Sequence, residues 1–281
     1  MVNEPRSNNR EHLGICDHEL PFVGFDTWNA YEVSALTNNG LPVAGVTKVI
    51  YPCDSKYIVE SKSIKLYFNS YNMYKCGHTP EQVMDFIDRT ASADLSKLLE
   101  TNVIVKTLPA SCRATGETVL DHDKYTTLET SYTQGELSDM KLDIYNESPE
   151  LLELRPSEQV LTSTTRYHSS LLKSNCRVTS QPDWGDVYIM CQSHQHVTPE
   201  SLLKYIVSFR DECHFHEEIC ETIYKRLYDI LSPERLCVTC LYARRGGIDI
   251  NPVRASDLPV IFREARDLGD ETVMHAKTSK Q

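Results

Sequence analysis

Residues 28–51 read WNAYEVSALTNNGLPVAGVTKVIY. Two strand-like runs, Trp28 to Leu36 and Val43 to Tyr51, flank Thr37-Asn38-Asn39-Gly40, whose Asn-Gly step tolerates positive φ, so the stretch reads as a β-hairpin. The period then changes. Ile64, Tyr67, Phe68 and Tyr71 recur at i, i+3, i+4 and i+7, which predicts a helix over Ser63 to Asn72. Thr79-Pro80-Glu81-Gln82 announces a second helix, with a capping box and proline at the first helical position, and Val83, Phe86 and Ile87 continue it. Asn102 to Leu108 returns to strand.

The C-terminal half repeats the order. Asp186 to Cys191 reads as a strand, Thr198-Pro199-Glu200 opens a helix, and a second helix carries Ile219, Cys220, Ile223, Leu227 and Ile230. Ser232-Pro233 ends it, and Leu236 to Ala243 is a strand ahead of Arg244-Arg245-Gly246-Gly247. Ser63, Tyr67, Ser70 and Tyr71 align with Ser201, Tyr205, Ser208 and Phe209 at one offset, 138. Two copies of a strand-pair, helix-pair, strand-pair unit are therefore expected, joined in the polar stretch Glu147 to Glu158, with modules at 1–155 and 156–281. Neither half alternates βαβ, so the fold class is α+β, antiparallel sheets each carrying paired helices.

Forty acidic against 29 basic residues give a net charge of −11, which excludes a nonspecific nucleic-acid binder. The start lacks the apolar run of a secretory signal, and no stretch approaches the ~20 apolar residues of a membrane span. Ten scattered cysteines are then expected as free thiols in the cytoplasm.

Cys176 lies in Leu171 to Gly185, which reads as a loop broken by Pro182 and Gly185 and anchored by Trp184. Lys173 and Arg177 flank the cysteine, and nearby positive charge favours the reactive thiolate; Asp183 sits seven residues on. Spacing alone leaves two readings open, a reactive thiol or a buried structural one. His216 and Glu217 at a helix start suit the donor edge of a guanine-like ring, yet Glu217 and Glu218 read more simply as favourable charges on a solvated first turn. Glu60-Ser61-Lys62-Ser63-Ile64-Lys65 supplies a helix start, hydroxyls and lysines for a phosphate, and Arg244 to Gly247 adds guanidinium groups on a glycine turn. Cys237-x-x-Cys240 falls on a strand whose residues three apart face opposite ways, and Cys213, His216 and Cys220 lack a fourth ligand, so no metal is expected.

Ser174-Asn175-Cys176 with Gln181-Pro182-Asp183-Trp184-Gly185, Ser208-Phe209-Arg210, Phe215-His216-Glu217, Arg244 to Pro252 and Glu60 to Tyr67 together resemble the NADPH-dependent 7-cyano-7-deazaguanine reductases of the queuosine pathway, in their two-module form. The resemblance covers about residues 20 to 110 and 165 to 256. It implies tandem tunnelling-fold modules and a four-electron reduction of a nitrile to an aminomethyl group through a covalent Cys176 thioimide, with Asp183 as general acid and base. It further implies that Val59, Glu60, Ser61, His216 and Glu217 bind the deazapurine and that Ser61, Lys62, Arg245 and Gly246 contact NADPH. A homodimer, and no direct contact with nucleic acid or membrane, follow in the same way. The competing expectations are a relative that adds an amine to the same thioimide, and a noncatalytic purine-binding module.

Overall fold

The computed structural model describes residues 1–112, 122–155 and 161–281. The N-terminal part runs β1 (Asn3–Pro5), α1 (Ser7–His12), β2 (Val23–Leu36), β3 (Pro42–Pro52), β4 (Tyr57–Val59), α2 (Ser61–Asn69), α3 (Pro80–Leu99) and β5 (Ile104–Pro109). Short pieces, β6 (Thr126–Thr127) and α4 (Gln134–Asp139), lead to β7 (Ser163–Asn175) and β8 (Pro182–Ser193). Next come α5 (Pro199–Ser208), α6 (His216–Leu231), β9 (Arg235–Tyr242) and β10 (Ile248–Ala255), and the chain closes with α7 (Leu258–Glu264) and α8 (Arg266–Gly269). The expected module junction extends into 156–160, which lie outside the described residues.

The order β2, β3, helix pair, strand recurs as β7, β8, helix pair, strand. The repeat extends to defects: the β2–β3 ladder shifts register between Ala30 and Val33, and the β7–β8 ladder between Ser169 and Leu172, 139 residues on. A bulge re-aims the strand beyond it, so both hairpins bend at the same place. The tips match as well. Thr37 N–H donates to Leu41 O at 2.9 Å, and Cys176 N–H donates to Gln181 O at 2.8 Å across a tip one residue longer.

One expectation changes. Among the described residues only one strand, β5, directly follows the N-terminal helix pair; beside β2 sits β10 of the C-terminal part, paired antiparallel from Ile248↔Ala30 to Ala255↔Val23. The hairpins therefore share one eight-stranded sheet, in the order β5-β3-β2-β10-β9-β8-β7-β6, antiparallel except at β6–β7.

The helix pairs cover one face. Ile64, Phe68, Val83, Ile87 and Leu95 pack on Trp28, Val49 and Tyr51, while Leu202, Ile206, Ile219, Ile223 and Leu227 pack on Leu172, Val187 and Ile189. Burying such side chains contributes ~1.5–3 kcal/mol each, which holds the helix starts over the sheet. Thr79 caps α3 by accepting from Gln82 N–H, but Gln82 Oε1 accepts from His78 N–H, so the reciprocal bond of a capping box is displaced by one residue. Cys237 belongs to the cluster under α7 and α8, and Cys240 to the cluster under α5 and α6, on opposite faces of β9.

Candidate active site

The segment expected as a loop is mostly strand: β7 runs to Asn175 and β8 starts at Pro182. Proline is tolerated at the first position of a strand. Gly185 lies against the Tyr242 ring, which a Cβ there would approach to 3.2 Å. Cys176 is thus the first residue of a hairpin tip, and Asp183 projects from the opposing strand. Trp184 is 40% exposed, lying beneath the Arg210 guanidinium at 5.4 Å rather than anchoring the tip in the core.

The cations expected beside the thiol turn elsewhere. Lys173 Nζ donates to Asn175 Oδ1 (2.8 Å) and Arg210 O (2.5 Å), and Arg177 pairs with Glu218 Oε2 at 2.8 Å. The pleat explains Lys173, which points across β7. Other groups take their place: Lys62 Nζ lies 3.5 Å from Cys176 Sγ. Burial alone pushes the thiol up, but hydrogen bonds from Thr179, through hydroxyl and backbone, from Val178 N–H and from Arg245 outweigh it and bring the thiol down to about 7. This is the electropositive, donor-rich setting in which a thiol reacts.

Cys176 lines one opening with Asp183, Ser61, His216, Glu217 and Arg245. Arg245 Nη1 stands 2.7 Å from Asp183 Oδ1. His216 Nε2 lies 3.4 Å from Asp183 Oδ2 without hydrogen-bond geometry, so this buried nitrogen has no partner among the described residues. The His216 ring stacks on Tyr242 at 3.8 Å between centroids. Glu217 is 1% exposed and accepts from Tyr51 OH at 3.3 Å. Burial first, then Asp26, push its carboxyl up to about 8, against Arg6 and Arg254. Trp28, Phe215 and Ile250 wall the same opening and suit a flat ring.

The remaining candidates are placed differently. Val59 is buried in the core, and Glu60 caps α2 by accepting from Lys62 N–H (3.0 Å) and Ser63 N–H (2.7 Å). Gly246 lines a neighbouring groove with Lys65 and Gly247. It has φ +62, and a Cβ there would come within 3.2 Å of Lys65 Nζ. Arg244 leaves the groove and stacks on Tyr31 at 3.5 Å. Ser61, Lys62, Lys65 and Arg245, with the bare backbone at Gly246, form a donor set of hydroxyl, ammonium and guanidinium groups that fits a polyphosphate. Cys213 is exposed and Cys220 is buried against Val238 O and Pro252 O, so these two do not converge with His216. Sequence reasoning missed Thr179, Tyr51 and the buried Arg6 and Asp26, because nothing in their spacing marks them.

The sequence matches two family descriptions: "Nitrile reductase, 7-cyano-7-deazaguanine-reductase N-term" over residues 1–107 and "QueF-like protein" over 182–259. The NADPH-dependent 7-cyano-7-deazaguanine reductase of Legionella pneumophila (strain Lens) is 37% identical over 260 residues, 92% of this chain and 84% of that one. The chain belongs to the NADPH-dependent 7-cyano-7-deazaguanine reductase family. Reductases of the same name from Rickettsia canadensis (37% over 254 residues, 90% of this chain and 85% of that one) and Colwellia psychrerythraea (36% over 255, again 90% and 85%) align over similar lengths. A solved archaeosine synthase in its apo form is 19% identical with a TM-score of 0.31, covering 37% of this chain and 99% of its own, too distant a likeness to carry an argument. Both matched regions of this reductase-family chain reach the opening, the first through Trp28 and Ser61 and the second through Asp183, His216, Glu217 and Arg245.

Proposed function

We propose that this chain reduces the nitrile of 7-cyano-7-deazaguanine to the aminomethyl group at the expense of two NADPH, in queuosine or a related deazaguanine pathway. The observation that carries the reading is one opening that holds a thiol lowered to about 7, a carboxyl group and an apolar-walled polar floor together.

Cys176 Sγ attacks the nitrile carbon; one π bond of the C≡N group breaks, and its electron pair takes a proton at nitrogen from Asp183, leaving a covalent thioimide. A carbon that is only weakly electrophilic in the nitrile becomes a C=N carbon bearing sulfur. NADPH, when bound, supplies hydride to that carbon. Once the thioimide carbon is reduced, the nitrogen lone pair forms C=N as the C–S bond breaks and Cys176 leaves as the thiolate; a second reduction of that imine, with a proton from Asp183, completes the amine. Asp183 accepts its protons back from water between steps.

Glu217 accepts from the two-donor edge of the ring, and His216 Nε2, lacking a partner among the described residues, turns to the ring or to Asp183. Val59 and Glu60 act from behind, fixing the start of α2 so that Ser61 faces the ring. Ser61, Lys62, Arg245 and Gly246 hold the cofactor phosphates. In this reading the part up to 155 supplies Ser61 and Lys62 to the cofactor, and the part from 156 supplies thiol and acid together with Arg245 and Gly246. Among the described residues no helix is long and apolar enough to cross a membrane. Cysteines that form no disulfide among the described residues suit a reducing cytoplasm, and the open edge of β5 suits a homodimer in which a second copy continues the sheet.

The test mixes purified protein with 7-cyano-7-deazaguanine and follows NADPH absorbance and intact mass. Two NADPH are consumed per nitrile, and Cys176→Ala abolishes consumption. A substrate-mass adduct that forms without any NADPH consumption would instead assign the chain to amine addition.

A further inference from the structure

The N-terminal twelve residues reach both sides of the candidate site. Strand β1 pairs with β4 (Asn3↔Val59), the strand that leads directly into Glu60 and Ser61. From there Arg6 and Arg10 run inward, 2% and 1% exposed, into a buried lattice of charge. Arg6 pairs with Asp26 and reaches Glu221 at 3.5 Å; Arg10 holds Glu221 at 2.8 and 2.9 Å; Arg254 bridges Asp26 and Glu221, both at 2.8 Å. Three guanidinium groups thus meet two buried carboxylates, and Arg10 also reaches the half-exposed Asp17 at 2.9 Å. Glu217 stands one helical turn before Glu221. Tyr51 bonds it and lies under the Arg6 guanidinium, 5.7 Å from the ring centroid.

We infer that Arg6 is a positioning residue for substrate recognition: through Asp26 and Tyr51 it sets whether Glu217 meets the deazapurine as an acceptor-only carboxylate or as an acid. This rests on the reading that Glu217 binds the two-donor edge of the ring. The groups that face Glu217 come from five elements or their flanks: Asp26 on β2, Tyr51 on β3, Tyr242 on β9, Arg254 on β10 and Arg6 ahead of α1. Asp26 favours the protonated acid, and Arg6 and Arg254 favour the carboxylate. A protonated carboxyl offers a donor where the ring offers donors, so it binds poorly. Loss of Arg6 leaves Glu217 protonated to higher pH, and loss of the Asp26 charge lets it ionise at lower pH.

The opposite signs make the test. Binding of 7-cyano-7-deazaguanine to the full chain bearing Cys176→Ala is measured by calorimetry between pH 6 and 9, with circular dichroism confirming the fold. With Arg6→Gln added, the affinity near pH 7 falls about tenfold, as it does when the carboxyl ionises about one pH unit higher, and recovers toward the parent as pH rises. With Asp26→Asn added, the affinity near pH 7 increases, and Arg6→Lys, which retains the charge, keeps the parent's pH midpoint. Should Arg6→Gln fail to fold, Asp26→Asn and Arg6→Lys carry the test. Midpoints that move the same way in Arg6→Gln and Asp26→Asn, or pH-independent losses, overturn the inference. Failure of the Cys176→Ala parent to bind at any pH instead sinks the assignment of the substrate.

Discussion

Arg245 Nη1 lies 2.7 Å from Asp183 Oδ1, and the same guanidinium hydrogen-bonds the Cys176 thiol. One guanidinium therefore touches both members of the thiol–acid pair. Replacing it with Gln removes that charge from beside the sulfur. Alkylation of Cys176 by iodoacetamide, followed on its own peptide by mass spectrometry without cofactor, is expected to show a midpoint near pH 7 in the wild type, where the thiol is brought down to about 7. In Arg245→Gln that midpoint moves to a pH higher by about 1, toward that of an ordinary thiol. An unchanged midpoint would confine Arg245 to the cofactor.

Thr179 gives the thiol two hydrogen bonds, one from its hydroxyl. In Thr179→Val only that bond is lost, so the alkylation midpoint rises by less than in a variant that lacks both. The backbone N–H donors of Val178 and Thr179 stay in place as long as the tip keeps its conformation. Equal midpoints in wild type and Thr179→Val would show that the hydroxyl does not reach the sulfur in solution.

Asp183 faces the same opening as the thiol but holds no part of the ring-binding floor. Asp183→Asn slows formation of the thioimide by about 10²–10⁴-fold, the usual range for loss of a general acid, while leaving nitrile affinity within a few fold. Stopped-flow single turnovers and calorimetry read the two separately. Wild-type single-turnover rates in that variant would remove Asp183 from the chemistry.

Glu221 is buried against three guanidinium groups. Burial pushes its carboxyl up, but Arg254, Arg10 and Arg6 together bring it down to about 2. A carboxyl depressed in the folded state stabilises the protein above its unfolded value of about 4.3, and that stability is lost as pH falls toward 2. Glu221→Gln removes the contribution and strands its partners, costing about 3–5 kcal/mol in urea unfolding at pH 7. Between pH 5 and 3 the stability of the variant falls less steeply than that of the wild type. Parallel curves would mean that Glu221 is not the carboxylate these arginines hold.

Trp184, read from sequence as an anchor, is exposed under Arg210. Trp184→Ala should lower stability by about 1 kcal/mol or less, the range of an exposed cation–π contact. A loss on the scale of a core aromatic, about 3–5 kcal/mol, would restore the anchor.

The elements were legible where local pattern governs. The turn at Asn39-Gly40, the i, i+3, i+4 spacing of Ile64, Tyr67 and Phe68, and the caps at Thr79 and Thr198 each state their structure within a few residues. Cys176, Asp183, His216 and Glu217 were named together by the family resemblance, spacing alone leaving each a structural reading, and the fold brings them to one opening. What surrounds them was not. Lys173 and Arg177 are the nearest cations in sequence, yet strand geometry and Glu218 take them away, and Lys62, 114 residues distant, reaches the sulfur instead. The pairing of β10 with β2 was hidden for a similar reason: contacts between strands more than 200 residues apart leave no periodic trace in either strand.

The two hairpin tips place Thr37 where Cys176 stands, 139 residues apart and both buried. In the shorter tip the Thr37 hydroxyl accepts from Leu41 N–H at 2.9 Å and closes on itself. The longer tip leaves its sulfur to receive Val178, Thr179 and Arg245. A cysteine written into position 37 would thus inherit a place in the fold and the Leu41 N–H, but neither Arg245 nor Lys62. Reactivity here belongs to a turn and the cations that reach it, so engineering a second reactive centre into this chain means bringing a cation to position 37 as well as lengthening its tip.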